Sequence, residues 1–141
     1  MYIEINDNTT FQEIQDVFSA FYPYLKIEFY SKGHKKYEAS EKVNKIEPGM
    51  RIGDIKATHV SGLLEILPLY KVAQVEKELQ ERFGLSMQVF RKEKDGWEQT
   101  IGMDDFTLKE LNELGRNSSD EFILDDDNGS EGSDDRPVKL L

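Results

Sequence analysis

The chain has no cysteine, only two histidines and only one tryptophan in 141 residues. Without cysteine there is no disulfide framework, no thiolate nucleophile and no cysteine metal site. The two histidines, His34 and His59, lie far apart and in loop-like contexts. A metal centre or a catalytic triad needs further ligands or partners at defined geometry, and none stands near either. There is no glycine-rich phosphate loop, and no apolar run approaches the length that spans a bilayer. The start, MYIEINDN, has neither a basic segment nor an apolar one, so no secretory leader is expected and a cytoplasmic protein is. The asparagines of Asn8-Thr-Thr and Asn117-Ser-Ser match a glycosylation pattern that has meaning only in a secreted chain.

What the chain does have is negative charge, unevenly placed. The formal net charge is −10. Residues 117–141 carry eight Asp/Glu against two Lys/Arg, while residues 1–116 carry 20 against 16. Residues 32–56 reverse the sign, with seven basic residues against four acidic. Phosphate binding requires a net positive surface, so no nucleic-acid partner is expected. Eight Phe, six Tyr and an apolar fraction of 38% are enough for a packed body. The division is therefore a single globular domain over 1–116 and an acidic tail over 117–141. The tail has one apolar patch, Phe122-Ile123-Leu124, and cannot bury enough surface to offset its ordering entropy, so disorder is expected there. Its run DDDNGSEGSDD imitates a calcium loop but fails as one. With Gly129 as the loop glycine, the first ligand position falls on Leu124.

The body reads twice. Residues 27–40 align with 87–100 at a spacing of 60: Ile27 with Met87, Phe29 with Val89, Tyr30 with Phe90, Lys32 with Lys92, Tyr37 with Trp97, Glu38 with Glu98. The preceding helical stripes align at 61: Phe11 with Val72, Ile14 with Val75, Phe18 with Leu79, Tyr22 with Phe83. A third segment aligns at 56, residues 50–55 with 106–111. Each unit is strand, helix, strand, strand and a short apolar turn, with the units at 1–58 and 61–115. Thr10 with Glu13, and Thr107 with Glu110, fit capping boxes. Pro23 and Gly84 stop the two long helices, and Gly115 is expected to stop a short C-terminal one. The run Leu63, Leu64, Ile66, Leu67 predicts a central strand covered on both faces. Lys94-Asp95-Gly96 predicts a hairpin, with the glycine at positive φ.

The fold class that follows is α+β: a tandem pseudo-repeat of two βαββ units forming a mixed sheet, packed by two main helices. The strands joined through a helix are expected to be parallel. A ferredoxin-like sheet with 33–60 as an insertion is the competing topology.

No residue set points to a reaction, and no cofactor or metal is expected. Asp104 and Asp105 are explained by the helix start they precede. The functional reading is a non-enzymatic protein-interaction module, acting through the repeat body, the tail or both. The aromatics at equivalent hairpin positions, Tyr30 with Phe90 and Tyr37 with Trp97, make a contact patch if exposed, and the candidate contact residues are Tyr37, Trp97 and the tail patch Phe122, Ile123 and Leu124. The partner is expected to be another protein, a basic one where it meets the tail, with no membrane role. The alternative is a small-ligand or enzymatic site between the two units. A third reading, in which the acidic chain mimics nucleic acid towards a basic partner, rests on charge alone.

Overall fold

The computed structural model describes residues 1–31, 41–56 and 58–127; for 119–127 it describes the backbone alone. The element order is β1 (Tyr2–Ile5), α1 (Phe11–Phe21), β2 (Leu25–Tyr30), a 3-10 turn (Lys42–Asn44), α2 (Ile52–Ile55), β3 (Gly62–Glu65), α3 (Val72–Phe83), β4 (Ser86–Glu93), β5 (Gly96–Gln99) and α4 (Leu108–Asp127). The class is α+β, as the sequence predicts.

The expected single mixed sheet is replaced by two antiparallel sheets. One is a ribbon of β1 and β3, the other a three-stranded sheet in the order β2-β4-β5. Strands connected through a helix never share a sheet, so the parallel pairs do not arise. Instead β1 pairs with β3 and β2 with β4, each across the two halves of the chain, and β5 adds to β4 as a hairpin. Ile3 faces Leu64 in the ribbon, and Glu28 faces Gln88 in the larger sheet. An alternating pattern tells which face of a strand is apolar, but it carries no information on which strand lies beside it.

The run at Leu63–Leu67 is accordingly not a central strand. Leu64 and Ile66 are buried, whereas Leu63 and Leu67 face out. The two-stranded ribbon has only one face against the core.

The inner face of the larger sheet carries Leu25, Ile27, Phe29, Met87 and Val89, all buried. The helical stripes meet them: Phe11, Ile14 and Phe18 from α1, and Val72, Val75, Leu79 and Phe83 from α3. Ile52, Leu108 and Leu111 close the same cluster. Phe11 stacks on Phe29 with ring centroids 5.1 Å apart. Residues of this kind contribute roughly 1.5–3 kcal/mol each on burial.

Both capping boxes form. Thr10 Oγ1 accepts from Glu13 N at 3.1 Å while Glu13 Oε1 accepts from Thr10 N at 2.8 Å. Thr107 and Glu110 repeat this at 3.1 and 2.8 Å. Pro23 and Gly84 end their helices as expected, and Gly84 takes φ 65° as it does so.

Two local readings are corrected. In the β4–β5 hairpin the positive φ belongs to Lys94 (31°), and Gly96 already opens β5 opposite Glu93. Gly115 does not stop a helix, because α4 runs through it to Asp127. It is a glycine because α4 crosses the chain there: an added Cβ would lie 2.8 Å from the Tyr24 carbonyl oxygen and 2.9 Å from Tyr24 Cβ. Ser118 still reaches the sheet, with its hydroxyl donating to Glu93 at 2.5 Å. The helix is thus anchored to the body past the expected boundary at 116. The remainder of the expected tail, 128–141, lies outside the described residues.

The loop before each long helix is bonded to the start of the following short one by the same four backbone groups. In the first half, Phe11 N–H donates to Met50 (3.1 Å), Gln12 to Pro48 (2.8 Å), Ile52 to Thr9 (2.9 Å) and Gly53 to Asp7 (2.8 Å). In the second, Val72 donates to Phe106 (3.0 Å), Ala73 to Asp104 (2.9 Å), Leu108 to Tyr70 (3.0 Å) and Lys109 to Pro68 (3.0 Å). These bonds satisfy N–H groups in the first turns of four helices, which have no partner within their own helix.

Candidate functional site

Trp97 sits on β5 opposite Lys92, and Lys26 sits on β2 opposite Phe90. The strand alternation puts all four on the face of the larger sheet that turns away from the apolar core. The Trp97 indole is 37% exposed. The Lys26 and Lys92 ammonium groups each lie 5.3 Å from its ring centroid, and Lys26 is 5.2 Å from the Phe90 ring. A cation this close to an aromatic face is held by the ring's quadrupole, by about 0.5–1 kcal/mol at an exposed site. Lys26 is in turn held by an ion-pair chain on the same face. Lys26 bonds Glu28 at 3.1 Å, and Glu28 bonds Lys45 at 2.7 Å.

Glu28 is the buried member of this group. Burial pushes its carboxyl up, and the Lys45 and Lys26 ammonium groups outweigh that and hold it below the ordinary glutamate value. Its neighbour Tyr30 is pushed up to about 12, by burial first and then by the Glu28 charge. Glu28 therefore stays ionised at neutral pH and Tyr30 stays neutral. The arrangement is a shallow aromatic surface with a positive rim.

A second feature lies where the two halves meet. Phe21 and Tyr22, at the end of α1, form a groove of about 630 Å³ with Leu67, Pro68 and Leu69, and α4 borders it through Lys109, Asn112 and Glu113. Asn112 is positioned by the Tyr24 N–H, which donates to its side-chain oxygen at 2.9 Å.

A third is the Asp7–His59 pair on the first half's loop. The His59 ring bonds Asp7, which also accepts the Val60 N–H at 2.8 Å. The His59 hydrogen bond, then the Val60 N–H, hold Asp7 below its ordinary value, and the Asp7 hydrogen bond raises His59. Among the described residues no group of three or more acidic or histidine side chains is placed to hold a metal ion. Among them also, no helix is long and apolar enough to cross a membrane.

Of the contact residues expected from sequence, Trp97 is placed on this surface. Tyr37 lies outside the described residues. Phe122, Ile123 and Leu124 fall on α4, whose backbone alone is described there. Phe90, expected beside Trp97, is on the same face, whereas Tyr30 is buried; sequence reasoning missed Lys26 and Lys92 as companions of Trp97. The strand alternation puts Lys26 on the face opposite Leu25 and Ile27, but only the pairing of β2 with β4 brings it to the indole. No family model matches the chain, and neither a curated protein nor a solved structure matches it.

Proposed function

We propose that this chain is a non-enzymatic protein-interaction module with its contact surface centred on Trp97. The observation that carries this reading is an indole more than a third exposed between two lysine ammonium groups. Aromatic side chains that are rigid and partly exposed are typical anchors of protein interfaces. The lysine rim favours a partner that offers an apolar side chain ringed by carboxylates. The acidic segment 117–141 would add attraction for a basic region of that partner, weakened by salt.

We also read the body as a tandem duplication of one βαββ unit. The four latch bonds of the first half and of the second are related residue by residue, at 61 positions for the acceptor or donor before the long helix and 56 for its mate. The strand pairs centre on equivalent residues as well: Ile3 faces Leu64 and Glu28 faces Gln88. Related units meeting about a twofold axis have this signature.

The test is a lysate pull-down with three proteins: the full chain, the chain ending at Asp127, and Trp97→Ala. The reading expects a partner recovered by the first two and lost by the third. Recovery undiminished in Trp97→Ala moves the contact off this face. Loss on removing 128–141 moves it to that C-terminal stretch.

The second reading, a small-ligand site, is favoured by one observation, the groove of about 630 Å³ between the halves. Its largely apolar lining suits an apolar ligand.

A further inference from the structure

β1 belongs to a two-stranded ribbon, and one of its edges is used by β3. Met1 and Ile66 exchange backbone bonds, the Met1 nitrogen donating at 2.8 Å and the Ile66 N–H at 2.9 Å. Bonded pairs alternate along an antiparallel ladder, so the next two are Ile3 with Leu64 and Ile5 with Gly62. The N–H and C=O groups of Tyr2 and Glu4 therefore point away from β3. Among the described residues no strand or bridge pairs with them on that side. An edge of this kind is a template for one more strand.

Beside it lies a depression of about 520 Å³, bounded by β1, the loop after it and the first turns of α1. Ile3 and Val17, both partly buried against the core, are its apolar lining. Its ionisable groups are Glu4, Glu13 and Asp16, and all three are carboxylates.

We propose that this edge takes an extended basic segment of a partner protein as an added strand. The backbone groups of Tyr2 and Glu4 select an extended chain, and the carboxylates select its charge. An added strand turns alternate side chains to the two faces of the ribbon. On one face they meet Tyr2 and Glu4. On the other they meet Ile3 and Val17, with Glu13 one turn before Val17 on α1. Lysine or arginine alternating with aliphatic residues fits both faces. A second copy of this chain fits badly. β1 set against β1 would bring the carboxylates of one depression towards those of the other, and like charges facing across strands are destabilising. The surface is separate from Trp97, which lies on the other sheet and has a lysine rim.

The probe is a short amidated peptide of alternating lysine and valine, titrated into the isotope-labelled full chain and followed by NMR. Hydrogen exchange at the Tyr2 and Glu4 N–H groups should slow on binding, because both become bonded. Binding should weaken with added salt. Glu4→Lys combined with Asp16→Lys, both at exposed positions, should weaken it by roughly tenfold or more. Tyr2→Pro removes one outward N–H and leaves the charges in place, and it should weaken binding severalfold. A peptide of alternating glutamate and valine should not bind.

Binding of neither peptide, or of both alike, would overturn the proposal. So would binding that leaves exchange at Tyr2 and Glu4 unchanged, or that is as strong in the charge-reversed variant or in Tyr2→Pro. Exchange at Tyr2 and Glu4 that slows with rising protein concentration and no peptide would overturn it in favour of a second copy. Trp97→Ala should leave the peptide affinity unchanged, so the two surfaces fail separately.

Discussion

The loop after β1 reads Asn6-Asp7-Asn8, and the loop after β3 reads Leu67-Pro68-Leu69. Each accepts one N–H from the short helix beside it, at 2.8 Å from Gly53 and 3.0 Å from Lys109. The backbone is therefore the same, while the side chains have opposite character. The first loop is polar and is bonded by His59 and the Val60 N–H. The second is apolar and borders an open groove. The short helices differ as well, four residues in α2 against twenty in α4. Backbone latches constrain the path of the chain but not the chemistry of the surface around it. In the proposed duplication, one copy has a polar loop held by side-chain bonds at Asp7 and the other an apolar loop beside a groove.

The largest expected effect tests whether the two short helices serve the core equally. Ile52 and Leu108 are both fully buried at the equivalent first position. Ile52→Ala and Leu108→Ala should each cost about 3 kcal/mol in urea unfolding. A cost below about 1 kcal/mol for Leu108→Ala alone would break the comparison and make α4 an appendage.

A smaller effect separates the two helices. Gly115→Ala places a methyl group against the Tyr24 backbone, an overpacking cost of about 1–3 kcal/mol that a helix-propensity gain of about 1 kcal/mol partly offsets. A net loss of about 1 kcal/mol, measured by thermal or urea unfolding, is expected. A stabilised variant would mean that α4 does not pack on the loop before β2.

Similar in size are the caps. Thr10→Ala and Thr107→Ala should each cost about 1 kcal/mol, because each removes a hydroxyl that accepts from a first-turn N–H. Lys71→Ala, at the position equivalent to Thr10, should cost almost nothing, since the Lys71 side chain makes no capping bond. Comparison of the three unfolding midpoints shows which half depends on its hydroxyl.

The smallest effect is electrostatic and confined to the first half. Asp7 is lowered and His59 raised by their hydrogen bond. The Asp7 contribution is present above its ordinary 3.8 and lost as pH falls through its lowered folded value. The His59 contribution is present below its ordinary 6.5 and lost as pH rises through its raised folded value. The pair therefore acts most fully between those ordinary values, and weakly, since it is exposed to solvent. In an NMR titration, Asp7→Asn should return the His59 ring to its ordinary range. An unchanged midpoint would show that the pair does not form in solution.

Much of the local structure was legible. The stripes Phe11-Ile14-Phe18 and Val72-Val75-Leu79-Phe83 gave two helices, because burial at helical spacing follows directly from the period. Both Thr–Glu boxes formed, because capping depends only on four consecutive residues. The turn at Lys94 and the glycine at 115 were misread, each for a specific reason. A hairpin glycine can open a strand instead of the turn. A helical glycine can also mark a close crossing, which only the Tyr24 contact shows. The site was legible in part. Trp97 stands out in the sequence as the single tryptophan beside the hairpin turn, but its lysine neighbours come from two other strands, β2 and β4.

The sequence by itself determined the class of elements, their order and which of their faces are apolar, since these depend on residues within one turn or one strand of each other. Only the tertiary structure decided that β1 pairs with β3 and β2 with β4. The alternation within a strand is satisfied by any neighbour that covers the same face. The choice among neighbours is settled by the backbone bonds that join residues more than forty positions apart, and those bonds leave no trace in the pattern of either segment.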